Sequence, residues 1–129
     1  MNKIIVEVSI GELLDKITIL EIKKEKIKDT EKLKFINNEY SILKDQLENN
    51  IKYDDKLKKL YQSLKEINNK LWVIEDDKRQ CEKDKDFGEK FIKLSRDIHF
   101  LNDDRAKIKL EINNYTGSTI KEIKEYTNY

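Results

Sequence analysis

Apolar residues recur along this chain in steps of three and four, the period of an α-helix with one buried face. Leu33, Ile36, Tyr40, Leu43 and Leu47 keep that step. So do Leu57, Leu60, Leu64, Ile67, Leu71 and Ile74, continued by Lys78 and Cys81. Phe87, Phe91, Leu94, Ile98, Leu101, Arg105, Ile108, Ile112 and Tyr115 hold a seven-residue repeat. In the first apolar stretch, Ile10, Leu13, Ile17 and Leu20 form a stripe that Leu14, Ile19 and Ile22 widen. The pattern predicts helices over residues 9–28, 31–48, 55–83 and 87–116. The wide stripe of the first places it at the centre of a bundle or between subunits.

Capping residues punctuate these segments. Ser9-Ile10-Gly11-Glu12 reads as a capping box, in which the Ser9 hydroxyl accepts from the first turn and Glu12 reaches back. Thr30 and Asp54 are expected to cap the second and third helices, and Asp86-Phe87-Gly88-Glu89 the fourth. Gly117 is the expected C-terminal cap, and Thr119-Ile120-Lys121-Glu122 suggests a short final helix in the tail 119–129. Ile4-Ile5-Val6-Glu7-Val8, β-branched at four of five positions, reads as a short strand. Its partner would be another subunit, or else the segment lies as an arm on the bundle.

The expected fold class is all-α. It is an antiparallel helical bundle built on a long helical hairpin, with a short N-terminal β-strand over residues 3–8, in one domain spanning residues 1–129. The two long helices would each run roughly 40–45 Å. The short connection at Asp84-Lys85-Asp86 makes them antiparallel neighbours. Two long helices covered by two shorter ones leave apolar surface, which favours a homo-oligomer.

Composition narrows the class. The chain has 129 residues, 41% of them charged, with 3 glycines and no proline. That excludes collagen-like and low-complexity chains, and the regular apolar spacing argues against disorder. Lysine and arginine total 27 against 26 aspartates and glutamates, a net charge of +1, and no basic excess points to nucleic acid. Cys81 is the only cysteine, so no intrachain disulfide and no multi-cysteine metal site can form. No apolar run approaches the roughly 20 residues that cross a bilayer. The N-terminus lacks the pattern of a secretory signal, and the expected compartment is the cytoplasm.

Chemistry-bearing residues are unevenly placed. The chain uses 24 lysines and only 3 arginines, yet Arg79, Arg96 and Arg105 all fall within residues 79–105. The planar fork of guanidinium donors suits carboxylate and phosphate in a way lysine does not. Across the turn near residue 85, Glu75 is expected to face Arg96, and Glu66 to lie near Arg105. Glu75 also precedes Arg79 by one turn. Arg105 sits on the apolar stripe, where a charge must be paired or must line a cavity or interface. Asp15 and Thr18 share a face of the first helix and are expected to reach Arg79 or Arg105. The candidate set is Arg79, Arg96 and Arg105 as donors, Glu75, Asp15 and Asp103 orienting them, and Trp72 beside the stripe.

Other chemistries are poorly served. His99 is the only histidine, which excludes a His-rich zinc site. The acids at Glu75-Asp76-Asp77, Asp86 and Asp103-Asp104 would suit magnesium, but Glu12-Leu13-Leu14-Asp15 supplies only half of the repeated acidic motif of helical nucleotide hydrolases. Cys81 lies on the stripe as packing, and no glycine-rich phosphate loop occurs. No metal and no cofactor is expected.

Three segments together carry a resemblance. They are Val8 to Lys23 (VSIGELLDKITILEIK), Leu71 to Glu82 (LWVIEDDKRQCE), and Asp86-Phe87-Gly88 through Asn102-Asp103-Asp104-Arg105-Ala106 to Ile112-Asn113. The chain resembles a bacterial helical domain family of unknown function over most of residues 4–118. Its motif residues match here at Glu12, Asp15, Lys16, Thr18, Glu21, Trp72, Glu75, Asp76, Arg79, Glu82, Phe87, Phe91, Arg96, Asn102, Asp103 and Arg105. The chain departs at Ile98-His99, where relatives often read valine-tyrosine, and at Lys78, where an apolar residue is common. The resemblance implies a small helical protein and a possible protein partner in cell-surface sugar synthesis. It implies no activity.

Two readings stand open at this point. One is a non-enzymatic interaction or scaffold protein acting as a homo-oligomer, its arginine–carboxylate cluster fixing helix register. The other is a small all-helical enzyme or ligand-binding protein that holds an anionic metabolite, a phosphate or carboxylate, at that cluster. A solvent-filled cleft touching two of the arginines separates the second from the first.

Overall fold

The computed structural model describes residues 2–129 and is all-helical, with four helices and no strand among those residues. They are α1 (Ile10–Lys26), α2 (Thr30–Asn50), α3 (Asp55–Asp84) and α4 (Glu89–Thr116). No described helix is long and apolar enough to cross a membrane.

Local chemistry sets the helix ends. The Ser9 hydroxyl accepts from Glu12 N–H at 3.0 Å, and Asp54 accepts from Leu57 N–H at 2.9 Å. Three caps differ from expectation. Asp29, not Thr30, caps α2, accepting from Lys32 N–H at 3.0 Å, because its carboxylate sits one residue outside the first turn. Asp86 does not cap α4. It accepts from Gly88 N–H at 3.1 Å and closes the turn, and α4 begins at Glu89, not Phe87, with no side-chain cap. Glu12 does not reach back to complete the box. Its carboxylate instead accepts from Lys109 Nζ of α4 at 2.7 Å. Gly117 ends α4 with φ 71°, a conformation a glycine adopts without cost.

Helices α3 and α4 form a long antiparallel hairpin. Helix α1 approaches each of the other three closely, whereas α2 approaches only α1. The widest apolar stripe thus belongs to the central helix. Leu14 and Ile17 of α1 meet Leu47 of α2, Leu57, Leu60, Tyr61 and Leu64 of α3, and Ile112 of α4 in one core. Each such side chain contributes about 1.5–3 kcal/mol by leaving water. This core occupies the end of the hairpin remote from its turn. Toward the turn, Leu71 and Cys81 of α3 are buried, while Val73, Phe87, Ile92 and Phe100 remain exposed.

One close approach depends on glycine. Gly11 N–H donates to Asn113 Oδ1 at 2.7 Å, and a Cβ at Gly11 would stand 2.5 Å from the Lys109 carbonyl oxygen. Nothing larger allows α1 to start this close to α4.

Two expected elements are absent. Residues 3–8 form no strand, and Ile4, Ile5 and Val6 are 91%, 85% and 69% exposed. A strand needs a paired edge, and the described residues hold no other strand to supply one. The tail after Gly117 forms no helix. It runs back along α4, with Glu122 3.2 Å from Lys109 Nζ and the Tyr129 ring 5.0 Å from that of His99. Those tertiary contacts replace the intrahelical bonds of so short a segment.

Candidate functional site

The site is built where α1 crosses the hairpin. Arg105 Nε donates to Asp15 Oδ1 at 2.9 Å, and Arg105 Nη2 donates to Asp15 Oδ2. Asn68 of α3 donates one N–H to Asp15 Oδ1 at 2.9 Å and the other to Thr18 Oγ1 at 2.8 Å. The Thr18 hydroxyl donates in turn to the Asp15 carbonyl oxygen at 2.7 Å. Lys109 Nζ stands 3.6 Å from Asp15 Oδ2. Among the described residues no fully buried side-chain nitrogen or oxygen lacks a hydrogen-bond partner, which is the condition for keeping charge in a core.

The electrostatics follow. Asp15 is 1% exposed, and its burial opposes ionisation. Hydrogen bonds from Arg105 and Asn68, and the charges of Arg105 and Lys109, outweigh that and hold the carboxyl below its ordinary range. The bond to Asp15 raises Arg105 in turn. Burial works against the Lys109 charge, but Glu12, Asp15 and Glu122 hold its ammonium above the usual lysine value.

In front of this network lies a cleft of about 360 Å³. That is within the size of small-ligand clefts, roughly 300–1,000 Å³. Helix α3 supplies Asn68, Leu71, Trp72, Glu75, Asp76 and Arg79. Helix α1 adds Ile19 and Ile22, and α4 adds Asn102 and Arg105. Trp72, Glu75, Asp76 and Arg79 share one face because helical neighbours recur at three and four residues. Arg105 keeps two of its five N–H groups unused, since two go to Asp15 and one to Asn102 Oδ1 at 3.4 Å. The Arg79 side chain makes no hydrogen bond or ion pair among the described residues, and neither do the side chains of Glu75 and Asp76.

The structure therefore brings Arg79, Arg105, Glu75 and Trp72 around one cleft, with Asp15 behind Arg105. It leaves two candidates outside. Arg96 does not meet Glu75. Its guanidinium lies 5.9 Å from the Phe100 ring centroid on an exposed stretch of α4. Asp103 orients no arginine. It lines a groove of about 440 Å³ between α4 and the tail, beside Ala106, Lys107 and Leu110. Glu66 is exposed and does not pair with Arg105, because α1 reaches Arg105 first.

Some members were not singled out from sequence. Asn68 is an ordinary polar residue until its helix is docked, its only signal a place next to an apolar stripe, and Asn102 was marked only as a motif residue of the family resemblance. Lys109 was one lysine among 24. Among the described residues no group of three or more histidines, cysteines, aspartates or glutamates is placed to hold a metal ion.

A family model described as a family of unknown function, DUF6165, matches residues 4–129, and the chain belongs to that family. No curated protein and no solved structure matches it.

Proposed function

We propose that this member of the DUF6165 family binds a small metabolite carrying a phosphate or carboxylate in the cleft between α1, α3 and α4. The observation that carries the reading is Arg79, a guanidinium without a protein partner on the wall of a cleft that also holds Arg105. Arg105 is oriented by Asp15 and keeps spare donors, so its geometry is set before a ligand arrives. Arg79 supplies the uncommitted charge. A thermal-shift screen of the full chain against phosphorylated and carboxylated metabolites tests the reading. A stabilising ligand whose effect disappears in Arg79→Gln supports it. The absence of any shift across the screen counts decisively against it.

Self-association is the second reading, and exposure of Ile4, Ile5 and Val6 supports it. Among the described residues there is no strand to pair with this segment, so a second copy is the available strand partner. Antiparallel pairing centred on Ile5 sets Lys3 opposite Glu7 and Ile4 opposite Val6. Light scattering behind a sizing column checks this. A dimer that Ile5→Asp converts to monomer supports it, and a wild-type monomer at high concentration removes it.

A further inference from the structure

We infer that the ligand of this cleft is a zwitterion, with its anionic group on Arg79 and its cationic group against Trp72, Glu75 and Asp76. This rests on the cleft reading above and narrows its ligand class.

The argument is one of charge and placement. Asp15 neutralises Arg105 through a two-point pair. The remaining lining charges are Arg79 against Glu75 and Asp76, which leaves a net negative wall. A simple anion entering there gains Arg79 and is opposed by two carboxylates. A ligand that also carries an amine turns that opposition into attraction. Trp72 lies one turn from both carboxylates, and an indole face beside acids attracts a cation on the ring side as well. The anion end and the cation end follow the helix axis in order, Arg79 at one end and Trp72 at the other. Their backbones are about 10 Å apart along α3, which sets the scale of the charge separation of the ligand. Ile19, Ile22 and Leu71 line the rest, so the body between the charges is compact and partly apolar.

Trp72 is the only tryptophan, so its emission reads this cleft directly. The experiment titrates the full chain with phosphocholine and phosphoethanolamine as zwitterions, methyl phosphate as anion and choline as cation, at low salt. At least one zwitterion is expected to shift Trp72 emission and to bind about tenfold tighter than methyl phosphate or choline. The double variant Glu75→Gln, Asp76→Asn is expected to lose that advantage and to bind methyl phosphate better. Arg79→Gln is expected to lose the phosphate-dependent response. Far-UV circular dichroism confirms that these exposed substitutions leave the helices intact. Methyl phosphate binding as tightly as both zwitterions would overturn the zwitterion assignment and leave the cleft reading standing. No emission change with any probe would overturn the zwitterion assignment, and the cleft reading falls only if the wider metabolite screen is silent as well.

Discussion

Asp15 of α1 and Arg105 of α4, 90 residues apart in the chain, are joined by two hydrogen bonds from one guanidinium edge, one of them 2.9 Å from Nε to Oδ1. The pair sits at the crossing of α1 and the hairpin and has two consequences. It fixes how α1 is rotated against α4, and it presents the rest of Arg105 to the cleft.

Breaking the pair from either side should be costly. Arg105→Leu leaves a buried carboxylate with Lys109 and Asn68 alone, and Asp15→Asn leaves a half-buried guanidinium without its counter-charge. Each should lower stability by about 2–4 kcal/mol, read by urea denaturation. A loss below about 0.5 kcal/mol in both would mean that the pair is not formed in solution.

The start of α1 has no room for a side chain. Gly11→Ala should lower stability by about 1–3 kcal/mol, because the new methyl meets backbone of α4 rather than a flexible side chain. Thermal unfolding followed by circular dichroism measures it. An unchanged melting temperature would contradict the close approach of α1 to Asn113.

Stability should fall at both ends of the pH scale. Asp15 has a lowered carboxyl, so its contribution is present above the unfolded value near pH 4 and is lost as pH falls through its folded value. Lys65, Lys109 and Tyr61 are all raised. Burial opposes the two lysine charges and their carboxylate partners prevail, whereas burial and Glu21 both raise Tyr61. Their contributions are complete below the unfolded values near pH 10 and are lost as pH rises through the folded ones. Urea midpoints across pH should show a plateau with declines below about pH 4 and above about pH 10. Asp15→Asn should flatten the acid limb, and Tyr61→Phe should reduce the alkaline one.

Arg79 should be dispensable for folding. It is exposed and unpaired, so Arg79→Gln should change stability by less than about 0.5 kcal/mol while removing ligand responses. A marked destabilisation would show a structural role for Arg79 instead.

By itself the sequence determined the helices, their approximate lengths and most of their ends. Those depend on bonds four residues apart and on caps such as Ser9, Asp54 and Gly117, all within one turn of the residue concerned. It also marked Arg105, since a charge on an apolar stripe has to be answered. Tertiary structure decided which group answers it. One residue along a helix turns the side chain by about 100°, so Asn68, Arg79, Arg96 and Asp103 beside a stripe face the cleft, the solvent or the tail according to how the helices are docked. That docking is set by α1, held close by Gly11, and no local pattern encodes where a central helix will lie between three others. Residues 3–8 show the same limit from the other side. Their β-branched pattern is local, but a strand exists only where another edge meets it, and the described chain offers none.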